Sequence, residues 1–248
     1  MTNREKIIDA FHRVKDLGWV VSHRRSDTGI GKTFEDYVGV VENNLNQPDL
    51  YGYEIKAHRK SSSSYVTLFT KSPSSPKGAN AFLRDNFGEV DKATSLKKLH
   101  TSFFADRYNN YCGNYSFKFI HCPEEEKIYI GIYDAISKKL LNCDVYYTYS
   151  ELESALREKA SKLLFVKAQR KRNEKNEELF YYSSAELFTN PPFDSFLQML
   201  DNGEIMYDIR IGSYKSGVKR GQAHDHGSGF RIRGCNLHKL YQTHEVVE

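Results

Sequence analysis

The stretch that decides the fold and the chemistry is Pro48-Asp49-Leu50-Tyr51-Gly52-Tyr53-Glu54-Ile55-Lys56. Alternate side chains of a β-strand point to the same face, so Glu54 and Lys56 share one face while Ile55 points to the core. Asp49 precedes them in a turn that Gly52 helps to bend, because glycine has no β-carbon. The segment therefore predicts that two carboxylates and one lysine converge near the start of a strand.

These groups suit the hydrolysis of a phosphodiester. A divalent cation held by carboxylates stabilises the negative charge of the attack and activates water, and Mg²⁺ binds through few carboxylates plus phosphate and water. Asp49 and Glu54 are the predicted metal ligands, and Lys56 would orient or deprotonate the attacking water. Glu35 on a predicted helix could supply a further acid, and we rank its neighbour Asp36 lower. The same pattern also arises by chance on solvated strands of charged proteins.

The apolar spacing predicts a mixture of helices and strands around this segment. Helices are predicted over 2–15 and 33–43, the first opened by a capping box. Two strands, 53–58 and 65–70, are predicted to form a hairpin through the polar residues 60–64. Later elements are predicted as helices over 79–87, 150–162 and 191–203, strands over 115–121, 127–133, 163–168, 179–182, 204–212 and 229–233, and a charged loop over 169–178. The fold class is therefore α/β or α+β.

The overall composition excludes several classes of protein. A hydrophobic fraction of 39% with 27% charged residues is ordinary for a soluble globular chain, and the longest apolar runs are far too short to span a bilayer. The N-terminus lacks the apolar core of a signal peptide, so we expect a cytoplasmic protein. The four cysteines have no C-x-x-C spacing, which argues against a zinc ribbon or a redox motif.

The net charge of +4 is small, but several cations gather in one C-terminal stretch. Arginine donates two hydrogen bonds to guanine in the major groove, and an aspartate can accept one from cytosine. Candidate base contacts are Asp208, Arg210, Tyr214, His224, Asp225, His226 and Arg231. Candidate phosphate contacts, which position DNA without reading its sequence, are Lys71, Lys215, Lys219 and Arg220. From these residues alone, a basic solvated hairpin is the alternative interpretation.

Six blocks occur in one order along nearly the whole chain: Thr28–Asp36, Glu54–Lys56, Leu68–Pro73, Asp208–Gly212, His224–Gly227 and Phe230–Ile232. Together they resemble the MutH/MvaI/BcnI group of the PD-(D/E)XK nucleases. The resemblance implies a MutH-like, two-lobed protein whose PD-(D/E)XK core has a mixed central sheet flanked by helices. Residues 1–105 would form mainly the catalytic lobe and 106–248 mainly a smaller DNA-recognition lobe, with exchange of strands and helices between the lobes allowed.

The resemblance also implies a function. It indicates a type II restriction endonuclease that hydrolyses double-stranded DNA with Mg²⁺, for which Mn²⁺ would substitute and Ca²⁺ would bind without supporting cleavage. A monomer would nick the two strands in turn, at a short G·C-rich pseudopalindrome such as CC(A/T)GG, while relatives read CC(C/G)GG. A companion DNA methyltransferase would accompany it genetically, without a stable complex.

Three alternative interpretations compete with this resemblance. A P-loop is suggested by Gly31-Lys32-Thr33, but that pattern needs a glycine five residues before Gly31, where the chain has Ser26. A sequence-specific DNA-binding protein without catalysis would share the basic stretch and need no acids. A MutH-like mismatch-repair nickase would leave one strand intact and depend on a partner.

Overall fold

The computed structural model describes residues 1–40, 48–60 and 64–247 of the chain. Within these ranges the helices and strands follow in this order: α1 (Asn3–Asp16), β1 (Val20–Val21), α2 (Gly29–Val38), β2 (Glu54–Arg59), β3 (Tyr65–Thr70), α3 (Ala79–Phe87), β4 (Glu89–Val90), β5 (Lys97–Phe103), β6 (Asn109–Tyr111), β7 (Tyr115–Cys122), β8 (Lys127–Asp134), β9 (Leu140–Thr148), α4 (Tyr149–Ala160), β10 (Lys162–Arg172), β11 (Glu178–Thr189), α5 (Phe193–Asp201), β12 (Ile205–Ser213), β13 (Ala223–Asp225), β14 (Gly229–Arg233), α6 (Leu237–Leu240) and β15 (Thr243–Val247). Helices and antiparallel and parallel strands are mixed, which confirms the predicted α+β class. None of these helices is long and apolar enough to cross a membrane.

The chain forms two compact units, each built from separate stretches of sequence. Unit 1 comprises Met1–Ser64, Arg157–Pro192 and Gly234–Glu248, and unit 2 comprises Tyr65–Leu156 and Phe193–Arg233. The pairing of β10 and β11 with the early strands β2 and β1 returns the chain to unit 1. The assignment of residues 1–105 mainly to a catalytic lobe and of 106–248 mainly to a DNA-recognition lobe stays a prediction.

Unit 1 is built on a mixed sheet. Its strand order is β1-β11-β10-β2, with β15 also paired to β11, and β2 runs parallel to β10 while the other pairs are antiparallel. Among the described residues β2 pairs only with β10, so its other edge is open to side chains and ligands. Apolar side chains of α1 and α2, such as Phe11 and Phe34, share one buried core with Ile55, Leu164 and Tyr182.

The two helices of this core differ in how well their limits follow from sequence. The predicted capping box of α1 is present: Thr2 accepts from the backbone N–H of Glu5, whose carboxylate accepts from the backbone of Thr2. Helix α2 begins at Gly29, earlier than predicted. A β-carbon on Gly29 would lie 2.4 Å from the carbonyl oxygen of Arg24, so only glycine allows this close approach. The predicted end at 43 lies outside the described residues.

Unit 2 contains two antiparallel sheets. One has the order β3-β14-β12-β5-β4, with β13 also paired to β12, and the other has the order β6-β7-β8-β9. Aromatic rings fill its core, among them the fully buried Phe103, Tyr147, Tyr207 and Phe230. Their ring centroids lie 5.1–5.8 Å apart in tilted or edge-on pairs, a favourable geometry for aromatic packing. Tyr207 belongs to β12, so this core fixes the position of that strand.

Two sequence predictions about strand pairing and loops are wrong. The predicted hairpin of 53–58 with 65–70 does not form, because β2 pairs with β10 and β3 pairs with β14 in the other unit; residues 61–63 of its predicted loop lie outside the described residues. The predicted charged loop over 169–178 is shorter than predicted, since β10 runs to Arg172 and β11 begins at Glu178, which leaves residues 173–177 as the connection. The charged side chains of residues 169–172 are exposed. Strand pairing uses only backbone hydrogen bonds, so exposed charged side chains do not prevent it.

Candidate functional site

A tight turn brings Asp49 back to the open edge of β2. Leu50 and Tyr53 exchange both backbone hydrogen bonds (3.1 and 2.9 Å), with Tyr51 and Gly52 between them at φ values of +51° and +81°. Positive φ at both central residues is the signature of the type I′ turn, which reverses a chain most tightly. Oδ2 of Asp49 then accepts a hydrogen bond from the backbone N–H of Ile55 at 2.7 Å.

Glu54 and Lys56 project from the same face of β2, as predicted from strand alternation. Nζ of Lys56 lies 2.5 Å from Oε1 of Glu54, and the two side chains are 29% and 17% exposed. Their neighbours across the parallel register are the buried Leu163 and Phe165. The carboxylate of Glu54 and the ammonium group of Lys56 thus lie together beside buried apolar residues, and both remain accessible to solvent.

Two further acids lie on α2. Glu35 is half-buried, and its Oε1 reaches back to within 3.7 Å of where a β-carbon on Gly31 would be. Asp36 instead forms ion pairs with Lys32 (2.7 Å) and His23 (2.9 Å), whose hydrogen bonds lower the pKa of its carboxyl. The lower rank of Asp36 as a catalytic acid stays a prediction. The catalytic role of Glu35 stays a prediction.

The rejected P-loop interpretation is also inconsistent with the backbone of α2. Gly31, Lys32 and Thr33 lie inside the helix rather than in a loop before it. Lys32 is paired with Asp36, and the buried hydroxyl of Thr33 accepts from the backbone N–H of His23 at 2.9 Å. Lys32 and Thr33 are therefore engaged within unit 1 and do not form a phosphate-binding loop.

Tyr241 is a neighbour of Glu54 that no sequence motif singles out. The residue is 5% exposed, and its hydroxyl is buried without a hydrogen-bond partner in the described structure. Burial, and after it the negative charge of Glu54, raises the pKa of this hydroxyl. A buried polar atom of this kind normally has a partner, so a group from solution is expected to serve it.

The predicted reading residues of unit 2 centre on Asp208. Its Oδ2 lies 2.7 Å from Nε of Arg210, a hydrogen bond, and 2.9 Å from Nε of Arg231, an ion-pair contact without hydrogen-bond geometry. Its Oδ1 accepts from the hydroxyl of Ser102 at 2.8 Å, and its side chain is only 3% exposed. The predicted contact of Asp208 with cytosine is untested. Its burial and its occupied oxygens favour a different role, holding the two guanidinium groups in place.

Three predicted base contacts, Tyr214, His224 and His226, have their rings in contact one after another near Arg210. The ring of Tyr214 stacks on His224 (centroids 4.3 Å apart, planes at 12°), and His224 contacts His226 (4.3 Å). Asp225 shapes the loop: its Oδ1 accepts from two backbone N–H groups, and its Oδ2 accepts from Asn80 at 2.6 Å. Direct base contact by these four residues stays a prediction.

The four predicted phosphate contacts fall into two groups. Lys71 forms an ion pair with Glu151 at 3.3 Å. Lys215, Lys219 and Arg220 are exposed on the connection between β12 and β13, with Nζ of Lys219 5.6 Å from the centre of the Tyr214 ring. The second group is therefore better placed to meet an anionic surface.

Within residues 1–40, 48–60 and 64–247 there is no group of three or more His, Cys, Asp or Glu side chains arranged to hold a metal ion. A magnesium site does not require such a group, because Mg²⁺ keeps several waters and uses one or two carboxylates.

Two carboxylates and a lysine at the open edge of a mixed sheet are the groups that we expect in a metal-dependent nuclease, in which the carboxylates would hold the cation. The chain matches the model of the MvaI/BcnI restriction endonuclease family over residues 8–241. It therefore belongs to this family, and it is a type II site-specific nuclease, as the resemblance implied.

Solved structures agree with this assignment. The chain is 35% identical to the protein in the structure described as restriction endonuclease MvaI in complex with its cognate DNA substrate, with 98% of both chains covered and a TM-score of 0.89. It is 36% identical to the protein in the structure of restriction endonuclease MvaI in the absence of DNA, with 97% of this chain and 96% of that chain covered and a TM-score of 0.64. A search of curated proteins returned no match.

Proposed function

We propose that this enzyme hydrolyses both strands of DNA at a short G·C-rich pseudopalindrome, with Mg²⁺ held by Asp49 and Glu54. The observation that carries the proposal is the meeting of three groups at one strand edge: Asp49 bonded to the N–H of Ile55 at 2.7 Å, and Lys56 2.5 Å from Glu54. Membership in a restriction endonuclease family supports the reaction class and the use of a divalent metal.

The residues present fit a magnesium ion. Two partly exposed carboxylates supply the oxygen ligands that Mg²⁺ prefers. The backbone N–H of Ile55 faces Asp49 at the open edge, and since the N–H and C=O of one strand residue point to the same side, the carbonyl of Ile55 would offer a third oxygen there. The unpartnered hydroxyl of Tyr241 is close enough to feel the charge of Glu54 and could bond a water of a hydrated cation. We expect Mn²⁺ to substitute and Ca²⁺ to bind without supporting cleavage.

Each residue then has a defined task. A bound cation would stabilise charge on the phosphate and make water a stronger nucleophile. Asp49 is kept in its ligating position by the N–H of Ile55, and Glu54 is kept beside Lys56. The ammonium group of Lys56 would orient the attacking water and offset negative charge as the phosphate is attacked.

Two observations on unit 2 and its relatives support the proposed DNA target. The related MvaI structure is a complex with cognate DNA, and in this chain Arg210 and Arg231 are held side by side by Asp208. Bidentate donation from arginine reads guanine, so we propose a site of the CC(A/T)GG type. A monomer with one active site, formed by Asp49, Glu54 and Lys56, would nick the strands in turn. A companion methyltransferase and a cytoplasmic location remain part of the proposal.

Digestion of a supercoiled plasmid of known sequence tests this function. With Mg²⁺ we expect open circles followed by linear fragments, and sequencing of the fragment ends should give one pseudopalindromic site. Open circles that never become linear would instead identify a nickase. Binding of DNA without any cutting in Mg²⁺ or Mn²⁺ would identify a DNA-binding protein and refute the proposal.

A further inference from the structure

Helix α6 of unit 1 ends beside the sheet face that carries Glu54. In the strand register Glu54 of β2 is directly opposite Leu163 of β10, which is directly opposite Phe188 of β11. Directly opposed residues carry their side chains on the same face of a sheet, so these three form one row. Tyr241, the residue after α6, contacts Phe188 at the end of this row, with the ring centroids 5.4 Å apart.

The row between Tyr241 and Glu54 is apolar and closed to solvent. Leu163, Phe188 and Tyr241 are all buried, and the Tyr241 hydroxyl has no hydrogen-bond partner among the residues that the structure describes. Burial raises the pKa of this hydroxyl, and the negative charge of Glu54 raises it further. A buried donor and a carboxylate therefore lie near each other without a bond between them.

The carboxylate of Glu54 can serve more than one partner. In this structure Lys56 donates to its Oε1 at 2.5 Å. A carboxylate has two oxygens with about four acceptor positions, so one oxygen can ligate a cation while the other accepts a hydrogen bond. If Lys56 turns to the attacking water, as the proposed function requires, the carboxylate of Glu54 needs another donor to fix its orientation.

We propose that Tyr241 is a positioning residue of the active site, whose hydroxyl donates a hydrogen bond to the carboxylate of Glu54 when that carboxylate holds the cation. The inference rests on the proposed function, because it takes Glu54 as a metal ligand. Hydrogen bonds from outside the ligand shell orient metal-ligating carboxylates and tune the affinity for the metal. An unpartnered buried donor costs free energy, so a bond formed only on metal binding favours the metal-bound state.

Tyr241→Phe tests this proposal, because it keeps the ring on Phe188 and removes only the hydroxyl. Without metal we expect the melting temperature to stay the same or to rise, since the lost hydroxyl has no partner there. With Ca²⁺ and a duplex that carries the mapped site, the native enzyme should be stabilised more than the variant. The Ca²⁺ concentration for half-maximal DNA binding should rise about tenfold, and the cleavage rate in Mg²⁺ should fall about tenfold.

Tyr182→Phe is the matched control. Tyr182 is a fully buried tyrosine of the same unit, but its hydroxyl donates to the carbonyl of Ile30 at 2.8 Å. Removal of this partnered hydroxyl should lower the melting temperature by the same amount with and without Ca²⁺ and DNA. It should leave the Ca²⁺ midpoint of DNA binding unchanged, which distinguishes a structural role from a positioning role.

Two results would overturn the inference. One is an unchanged Ca²⁺ midpoint and cleavage rate in Tyr241→Phe, and the other is a melting temperature lowered equally in both conditions, as in the control. A native enzyme that cuts DNA and loses cutting in Glu54→Gln, but not in Tyr241→Phe, would refute this inference alone. A native enzyme that cuts no DNA in Mg²⁺ or Mn²⁺ would refute the proposed function itself.

Discussion

The two units use acidic side chains in opposite ways. In unit 1 the acidic edge, formed by Asp49, Glu54 and Lys56, keeps its carboxylates partly exposed, with Glu54 at 17%. In unit 2 the carboxylate of Asp208 is 3% exposed and engaged on both oxygens. An accessible carboxylate can bind a cation from solution, whereas a buried one can only fix its neighbours. Burial and partners, rather than residue type, separate a proposed metal ligand from a positioning residue.

The largest expected effect breaks the acidic edge. Asp49→Asn or Glu54→Gln keeps the shape of the side chain and removes the charge that would hold the cation. Because a bound metal contributes several kcal/mol to the transition state, cleavage should fall by about a thousandfold or more. Plasmid cleavage rates at saturating Mg²⁺ measure this, and a gel shift in Ca²⁺ reports whether DNA is still bound.

Asp36→Asn is the matched control for these variants. Asp36 lies in the same unit and is paired with Lys32 and His23, so its loss should leave the cleavage rate nearly unchanged. Full cutting by both acidic-edge variants would reject the proposed active site. A strong loss of cleavage in Asp36→Asn alone would instead identify Asp36 of α2 as the catalytic acid.

The next effect concerns stability, and it sharpens the contrast between the units. Asp208→Ala would leave Arg210 and Arg231 close together without their shared carboxylate. Breaking a buried ion pair costs about 3–5 kcal/mol, and we expect roughly 3 kcal/mol here because Arg210 is half exposed. Urea unfolding should show this loss, whereas Glu54→Gln should change the free energy of unfolding by less than about 1 kcal/mol. Equal losses of unfolding free energy in Asp208→Ala and Glu54→Gln would contradict the contrast between a buried and an accessible carboxylate.

The same contrast explains what could be predicted from the sequence. The acidic edge is contained in residues 48–56, so strand alternation and one turn were enough to bring its groups together. The face around Arg210 is assembled from β5, β12, β13 and β14, and its contacts depend on the register between distant segments. His100, which stands opposite Arg210 in this register, could not be placed beside it from the sequence, because β5 is mostly polar and no strand was predicted there.

The fold shows the same limit at a larger scale. Local signals predicted the capping box of α1 and the extent of α3, because both depend on neighbouring residues. Pairing between strands was less accessible, and two neighbouring strands were wrongly joined as a hairpin although β2 and β3 lie in different units. Strand partners are decided by the burial of whole faces, which short apolar patterns do not specify.

A smaller effect is expected for one base reader. Arg231→Ala removes a guanidinium group that Asp208 holds 2.9 Å away and that is partly buried. If it makes a bidentate contact with guanine, discrimination at one base-pair position should fall by about 1–3 kcal/mol while other positions keep theirs. Cleavage rates on a set of singly substituted duplexes measure this. An unchanged preference at every position would remove Arg231 from the readers.

The smallest effect belongs to the exposed connection between β12 and β13, and it separates positioning from reading. Lys219 has a solvent-exposed ammonium group, so Lys219→Ala should weaken binding to all duplexes alike and reduce the salt slope of the affinity by about one. Lys139→Ala, another exposed lysine of unit 2, is the control and should leave the slope unchanged. A loss confined to one base pair would instead make Lys219 a reader. A uniform loss, set beside the local loss expected for Arg231→Ala, would show that the strands read the sequence while the connecting loop contacts the phosphate backbone.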